Sequence, residues 1–256
     1  NCFKTMSSQS QLFQPLQIRG VSLPNRLVIS PMCQYSADDG LANDWHLAHL
    51  GKLAQGGAAV VFTEAVAVQR RGRITHGDLG IWADAQAQAL AGIARFISSM
   101  GSVPAIQLAH AGRKASMQRP WHGNGPLDDS DRARGDEPWP VVGPSAIALG
   151  EGWLVPSEMT QAEIAQVVED FATAALRADN AGFGIAEVHA AHGYLAASFL
   201  SPISNHRTDI YGGDRAGRSR MLLETAEAVR AAWPHDKPLF VRVSAVDGAP
   251  QGWSLE

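Results

Sequence analysis

The segment His189-Ala190-Ala191-His192-Gly193-Tyr194 sets two imidazoles three residues apart, directly after the apolar run Gly184 to Val188. Both rings therefore fall on the loop or first turn beyond a strand. Three chemistries compete for such a pair. Two N–H groups converging on one substrate oxygen would stabilise negative charge developing there. A metal ion would need a third ligand. Glu187 alternates with His189 at period two, but no cysteine or further carboxylate completes a set at metal spacing. A zinc hydrolase built this way would carry tightly bound zinc. Thirdly, histidines often do no more than cap a loop. The donor pair is the favoured reading, with no metal.

Such a pair must be held by a scaffold, and the flanking sequence describes one. Short apolar runs at Leu27 to Met32, Ala58 to Thr63, Val103 to Leu108, Gly184 to His189 and Leu239 to Ser244 alternate with segments of helical period. The first helix starts with Asn43 or Asp44 as N-cap, carries Leu47, Leu50 and Leu53/Ala54 on one face, and stops at Gly56-Gly57. The second runs from about Asp84 to Met100, with Leu90, Ile93, Ala94 and Ile97 on one face. The capping box Thr160-Gln161-Ala162-Glu163 opens a third, and a fourth covers about Arg218 to Trp233. Near-continuous apolar strands between helices mean a parallel sheet covered by helices.

A doubly wound sheet or a (β/α)8 barrel satisfies that pattern. The first would show a glycine-rich turn after its first strand, where Met32-Cys33-Gln34-Tyr35 stands instead. In a barrel the functional groups gather just past the C-terminal ends of the strands, and Cys33, Tyr35, Glu64, Gln107, His110, His189, His192 and Arg242 do so. The fold expected is α/β, a TIM (β/α)8 barrel with about five βα units present. Its domain spans residues 12–256, and a Gly-, Pro- and Trp-rich excursion at 110–157 lies over the active-site face. Excursions of that length are usually functional; the charges from Asp128 to Glu137 read as a solvated face.

The chain is 45% hydrophobic and 18% charged with a net charge of −4. That excludes a strongly basic nucleic-acid surface, and no run approaches the ~18 apolar residues of a membrane helix. Two cysteines, Cys2 and Cys33, exclude a disulfide scaffold. Asn1 to Ser10 carries no leader pattern, which points to the cytoplasm. Met6 looks like a start, and residues 1–11 read as a disordered or extraneous N-terminus.

Four segments recur in a characteristic order: Ser30-Pro31-Met32-Cys33-Gln34-Tyr35, Gln107-Leu108-Ala109-His110-Ala111-Gly112-Arg113, Glu187 through Tyr194, and Arg207-Thr208-Asp209-Ile210-Tyr211-Gly212-Gly213. Together they resemble the old yellow enzyme family. Cys33 after Pro31-Met32, with Ser204-Asn205-His206-Arg207, points to its thermophilic-like, xenobiotic reductase branch. The resemblance runs from about Leu12 to Val246. It implies an FMN-dependent ene-reductase in which NAD(P)H reduces FMN, and hydride then passes to the β-carbon of an electron-poor alkene (enone, enal or nitroalkene). By position, Ser30, Pro31, Met32 and Cys33 would line the isoalloxazine, Ala65 would contact it, and Gln107 would meet its pyrimidine edge. Arg242 would place a fixed positive charge near N1 and C2=O. His189 and His192 would hold the substrate oxygen, Tyr194 would give a proton to the α-carbon, and Tyr35 would shape the substrate mouth.

Plainer roles stand beside these: Cys33 as a small buried apolar residue, Tyr194 as a structural tyrosine. Some branches carry Asn where His192 stands, and His keeps a donor there. Gly217 replaces a common Asn, which bears on local packing. Trp121 and Trp139 would either cover the site or pack within the excursion. The partner implied is a small α,β-unsaturated molecule, with neither nucleic acid nor membrane, in a homo-oligomer when the protein is complete.

A barrel needs eight strands, and the apolar runs number five. The FMN phosphate is normally held by loops after strands seven and eight, beyond anything that follows Arg242; Gly252 to Glu256 read as the lead-in to another helix with Ser254 as N-cap. The sequence is thus expected to be a fragment, and the alternative function is a catalytically inactive fragment or binding module lacking the phosphate site. Purified as these 256 residues, the chain is expected to bind FMN weakly or not at all. Visible absorbance of the dialysed protein checks this, a stoichiometric yellow flavoprotein being the contrary result.

Overall fold

The computed structural model describes residues 10–254. Cys2, Met6 and the rest of residues 1–9 lie outside the described residues, as does the helix expected after Ser254. After a 3-10 turn at Gln11–Phe13, the chain forms β1 (Leu16–Ile18), β2 (Val21–Leu23), β3 (Val28–Ile29), α1 (Asp44–Gln55), β4 (Val60–Ala67), α2 (Asp84–Ser99) and β5 (Val103–Ala109). It continues through α3 (Asp129–Ala133), β6 (Val142–Gly143), β7 (Ser157–Glu158), α4 (Gln161–Asn180), β8 (Ile185–Ala190), α5 (Leu195–Leu200), α6 (Arg215–Ala232) and β9 (Leu239–Val243).

Among the described residues the main sheet has the order β3-β4-β5-β8-β9, every pair parallel. Strand order follows chain order without reversal, as in a curling barrel wall and unlike a doubly wound sheet with its switch point. The architecture is a partial (β/α)8 barrel. Its outer face is apolar: Ile106, Leu108, Ala186, Val188 and Ala190 pack under Ile164, Val167 and Phe171 of α4 and Met221 and Val229 of α6. Its inner face is apolar at the base, where Phe62, Ala105, Ile185 and Phe240 meet Leu16, Ile18, Val21 and Leu23. The antiparallel β1–β2 hairpin thus plugs the N-terminal end of the wall. Gly20 N–H donates to Asp236 O at 2.7 Å and Arg19 Nη1 to His235 O at 2.9 Å, tying the plug to the turn before β9.

Local signals act as the sequence suggests in most elements. Asn43 Oδ1 caps α1 by accepting from Trp45 N–H, and Thr160 and Glu163 exchange the two bonds of the capping box on α4. The buried face of α1 differs from the expected stripe: His46, Leu50, Gly51 and Ala54 face inward while Leu47 is exposed. The helix is rotated so that His46 reaches a buried partner described below. β3 keeps only two residues of the expected run, because Pro31 has no N–H for a ladder.

The excursion is more ordered than its composition suggests. Asp128 Oδ1 accepts from Ser130 N–H at 2.8 Å and Asp131 N–H at 3.2 Å, opening α3. Asp131 is buried, contrary to a fully solvated run, because Gln118 Nε2 and Asp128 N–H donate to its carboxylate. Arg207, also buried, donates to Pro144 O and Met159 O and pairs with Asp209, stapling β6–β7 to the loop between α5 and α6. The departure at Gly217 has a steric cause: a Cβ there would lie 2.0 Å from Gly212 O.

His110, at the end of β5, is fully enclosed. Its Nδ1 accepts from Gly112 N–H at 3.0 Å, which leaves Nε2–H to donate to Gln69 Oε1 at 3.1 Å. Burial, then Arg71, pushes its pKa from 6.5 down to about 3. The unfolded chain therefore takes up a proton below pH 6.5 that the folded chain refuses. His110 contributes its full stability above that pH and loses it as the pH falls towards 3. His110→Gln, which keeps a donor for Gln69 but cannot titrate, is expected to shrink the loss of stability between about pH 7.5 and 4.5 by ~2–3 kcal/mol. Chemical denaturation of both proteins at the two pH values measures it.

Candidate functional site

Register assembles the site. Ala65 pairs with Gln107, Gln107 with Glu187 and Glu187 with Phe240; two residues further on, His189 pairs with Arg242. Side chains alternate between faces along a strand, so this row and the next share the inner face. Ala65 joins the row because β4 is irregular between Phe62 and Ala65. Of Thr63 and Glu64, which span the irregularity opposite one residue of β5, Glu64 is buried with its Oε1 3.2 Å from His46 Nε2, an electrostatic contact outside hydrogen-bond geometry. Asn43 N–H donates to His46 Nδ1, so the ring proton sits on Nε2, towards the carboxylate. Glu64 Oε2 accepts from Gln34 N–H at 3.1 Å. One buried carboxylate thereby ties α1 and the segment after β3 to the strand.

That segment runs from Ser30 and Pro31 past exposed Met32 to half-buried Cys33 and Tyr35. Both side chains pack against the cluster around Ala65. Burial pushes both groups well above their ordinary pKa, and Asp78 and Glu64 add to the effect, so thiol and phenol stay protonated. Tyr35 has a φ of 52°. Its carbonyl lies so near Gly77 that a Cβ there would sit 2.1 Å from it. Trp121 meets the Tyr35 ring edge-on with centroids 6.2 Å apart, while Trp139 packs against Arg73 and His76 instead. Trp121 thus borders Tyr35 directly, and Trp139 packs against the cluster that includes Ala65, Cys33, Tyr35 and Tyr194.

The histidine pair lies where β8 ends. The rings of His189 and His192 are 5.0 Å apart at 87°, and the Tyr194 ring is 5.1 Å from His189 and 6.3 Å from His192. His189 Nδ1 accepts from Ala191 N–H, which leaves Nε2–H as the free donor. Burial, then His192, Arg242 and Lys114, holds the His189 pKa down at about 3; burial, Arg242 and Lys114 also lower His192. Burial raises the Tyr194 phenol, with Cys33, Tyr35 and Asp78 adding to it. The cluster therefore presents neutral donors.

Arg242, at the end of β9, faces a cleft of about 740 Å³ lined by Ser30, Pro31, Phe62, Glu187 and Phe240. Gln107 Nε2 donates to Glu187 Oε1 at 2.7 Å. Burial raises the Glu187 carboxyl, while Gln107 and Arg242 pull it down. Cys33, Tyr35 and Tyr194 pack with Ala65 in one cluster, so the structure brings Tyr35, Cys33, Ala65, Gln107, His189, His192, Tyr194 and Arg242 to one end of the sheet. His110, grouped with them by position, instead serves the interior.

Four groups at the site escape motif reasoning: His46, Asp78, Lys114 and Ser244. Asp78 is wholly buried and accepts from Ile74 N–H, Thr75 N–H and Thr75 Oγ1. Burial, then Glu64, lifts its carboxyl to about 7. Lys114 Nζ lies 5.2 Å from the Tyr194 ring. His46, Lys114 and Ser244 meet Glu64 and His192 on other elements, which no local pattern marks, while Asp78 is held by its own loop. Among the described residues no three His, Cys, Asp or Glu side chains are grouped to hold a metal, and no helix is long and apolar enough to cross a membrane.

The sequence model of the NADH:flavin oxidoreductase / NADH oxidase family matches residues 11–255. An NADH:flavin oxidoreductase of Gibberella zeae is 45% identical over 261 residues, covering 98% of this chain and 63% of that protein. A NADPH dehydrogenase of Listeria welshimeri is 45% identical over 249 residues, covering 96% and 67%. Among solved structures, morphinone reductase superposes with a TM-score of 0.78 at 29% identity, over 94% of this chain and 64% of that one. Old Yellow Enzyme from Pichia sp. gives 0.79 at 30% identity, over 92% and 60%. The chain thus spans about two thirds of the length of the relatives it matches. It belongs to the NADH:flavin oxidoreductase / NADH oxidase family and shares the fold of the old yellow enzymes.

Proposed function

We propose that this site serves an FMN-dependent reduction of electron-poor alkenes driven by NAD(P)H. The observation that carries the reading is the pair of neutral imidazoles, 5.0 Å apart beside a protonated tyrosine, with His189 in register with the Arg242 that lines the cleft. The residues suit an isoalloxazine. Ser30 and Pro31 line the cleft, exposed Met32 and half-buried Cys33 follow them, Ala65 adds little bulk, and Gln107 offers an amide. Arg242 enters no ion pair among the described residues and stands ready for a negative ring. Relatives named for NADH:flavin and NADPH chemistry agree with it.

FMN, when bound, supplies hydride exchange between the nicotinamide and the alkene. The chain's own residues supply the rest. His189 and His192 donate from neutral nitrogens to the carbonyl or nitro oxygen, where charge develops. Neutral imidazoles cost less to bury than imidazolium, and the His189 pKa of about 3 keeps that form throughout the working range. Tyr194 holds a proton on its hydroxyl for the α-carbon, since burial disfavours the phenolate. Tyr35, under Trp121, borders the entrance on the side of Cys33.

The test is NADPH-driven, anaerobic reduction of 2-cyclohexenone with saturating FMN. It is run on the chain itself and on a chimera carrying strands six to eight of a relative. Reduction is expected in at least the chimera. His189→Ala should lower its rate ~10²–10³-fold and Tyr194→Phe ~10²–10⁴-fold. Rates untouched by both changes would overturn the assignment. Tightly bound zinc without alkene reduction would favour the hydrolase instead.

A further inference from the structure

His192 is held in a conformation that its own residue type does not favour. Its φ is +59°, and Gly193 follows at +72°. For a residue with a Cβ the left-handed region costs of order 1–2 kcal/mol, and such residues persist where their surroundings over-determine them. Here the surroundings are two side chains. His192 N–H donates to Ser244 Oγ at 3.0 Å, and His192 O accepts from Lys114 Nζ at 2.9 Å.

The two partners come from opposite sides. The sheet order places β8 between β5 and β9. Lys114 lies in the turn Gly112–Lys114 that follows β5, and Ser244 is the residue after β9. Each neighbouring strand therefore delivers one group to the residue just beyond the central one. Ser244 is itself fixed, since its carbonyl accepts from Trp253 Nε1 at 3.1 Å. The loop closes through Asp247, whose carboxylate accepts from Ser201 Oγ and Trp253 N–H, both at 2.6 Å.

We propose that Ser244 and Lys114 are positioning residues that clamp the peptide groups of His192 from both sides and so aim its imidazole at the oxygen shared with His189; the proposal rests on His192 acting as an oxygen donor. Were the clamp absent, the backbone could relax to negative φ. The ring would then swing out of its perpendicular contact with His189, leaving one donor at the site.

The charged or titratable groups facing His192 are His189, Tyr194, Arg242 and Lys114. Ser244 carries no charge, so Ser244→Ala affects the imidazole through its position alone. The experiment follows the isotope-labelled chain by NMR without FMN. In Ser244→Ala, exchange of the His192 amide is expected to become about tenfold faster. The His192 imidazole pKa should return towards its ordinary 6.5 while His110 signals stay in place. Ser244→Thr should restore both, and Lys114→Met should speed the amide exchange. Should Ser244→Ala disturb His110 as well, Ser244→Cys, a weaker acceptor of similar size, is expected to give an intermediate exchange rate. An unmoved His192 in Ser244→Ala, or no intermediate rate in Ser244→Cys, overturns the clamp. In the FMN-loaded chimera, kcat/KM for cyclohexenone should fall about tenfold in Ser244→Ala and recover in Ser244→Thr. If NMR responds as expected but no variant, nor the parent, reduces the alkene, the clamp stands and the ene-reductase reading fails.

Discussion

The register between β5, β8 and β9 is the constraint on which the site depends. Strand side chains alternate, so a slip of one residue would turn Glu187 and His189, or Phe240 and Arg242, to the opposite face. The slip is prevented from both sides. Outward, Ile106, Leu108, Val188 and Ala190 would lose their cover under α4 and α6, at roughly 1.5–3 kcal/mol for each large apolar side chain. Inward, Gln107 and Glu187 would lose the bond that satisfies them, and an unmade bond to a buried polar group costs about 1–3 kcal/mol or more. The groups useful for chemistry are placed by the same pattern that builds the core.

Around that frame, burial acts on the titratable groups in one direction. It lowers His189 and His192, raises Cys33, Tyr35 and Tyr194, and lifts Glu187 and Asp78. Each shift favours the uncharged form, as expected where water is excluded. Arg242 is the exception, since a guanidinium keeps its charge in proteins. A fixed cation among neutral donors suits chemistry in which negative charge appears only transiently. Glu64, fully buried, has His46 and the Gln34 amide arranged around it, whereas Arg242 stays partly open to the cleft.

Much of this was legible in the residues. The four later strands stand out as apolar runs, and the caps at Asn43 and Thr160 open helices where expected. The His189–His192 spacing located the end of β8. What was hidden lies in two kinds of place. The β1–β2 hairpin is three residues a side, too short for period two to stand out, and α5 is buried on every side, so Leu195–Leu200 shows no amphipathic stripe. The other kind is pairing between distant segments. His46 with Glu64, Ser244 with His192 and Gln118 with Asp131 are set by the tertiary fold. Composition misled at Asp131 for the same reason: charge counts suggest a wet surface until a partner is known.

β9 raises a last physical question, because within the described residues it pairs with β8 alone yet carries both Arg242 and Ser244. Its faces are poorly covered: Val241 is 41% and Val243 47% exposed. Apolar burial therefore contributes less to its position than to that of β4 or β5. The turn before it compensates with polar bonds. Arg230 donates to the carbonyls of Trp233, Pro234 and Lys237. Trp233 Nε1 reaches Pro238 O at 3.0 Å, and Lys237 Nζ bonds Asp179 and Phe183 O at 2.5 and 2.8 Å. The plug adds Gly20 and Arg19 at the same point. A strand fixed this firmly at its base has its register with β8 set before its upper half is reached. Arg242, three residues beyond Leu239, is then carried into place by backbone pairing with β8, and Ser244, two residues further, by its bonds to His192 and Trp253.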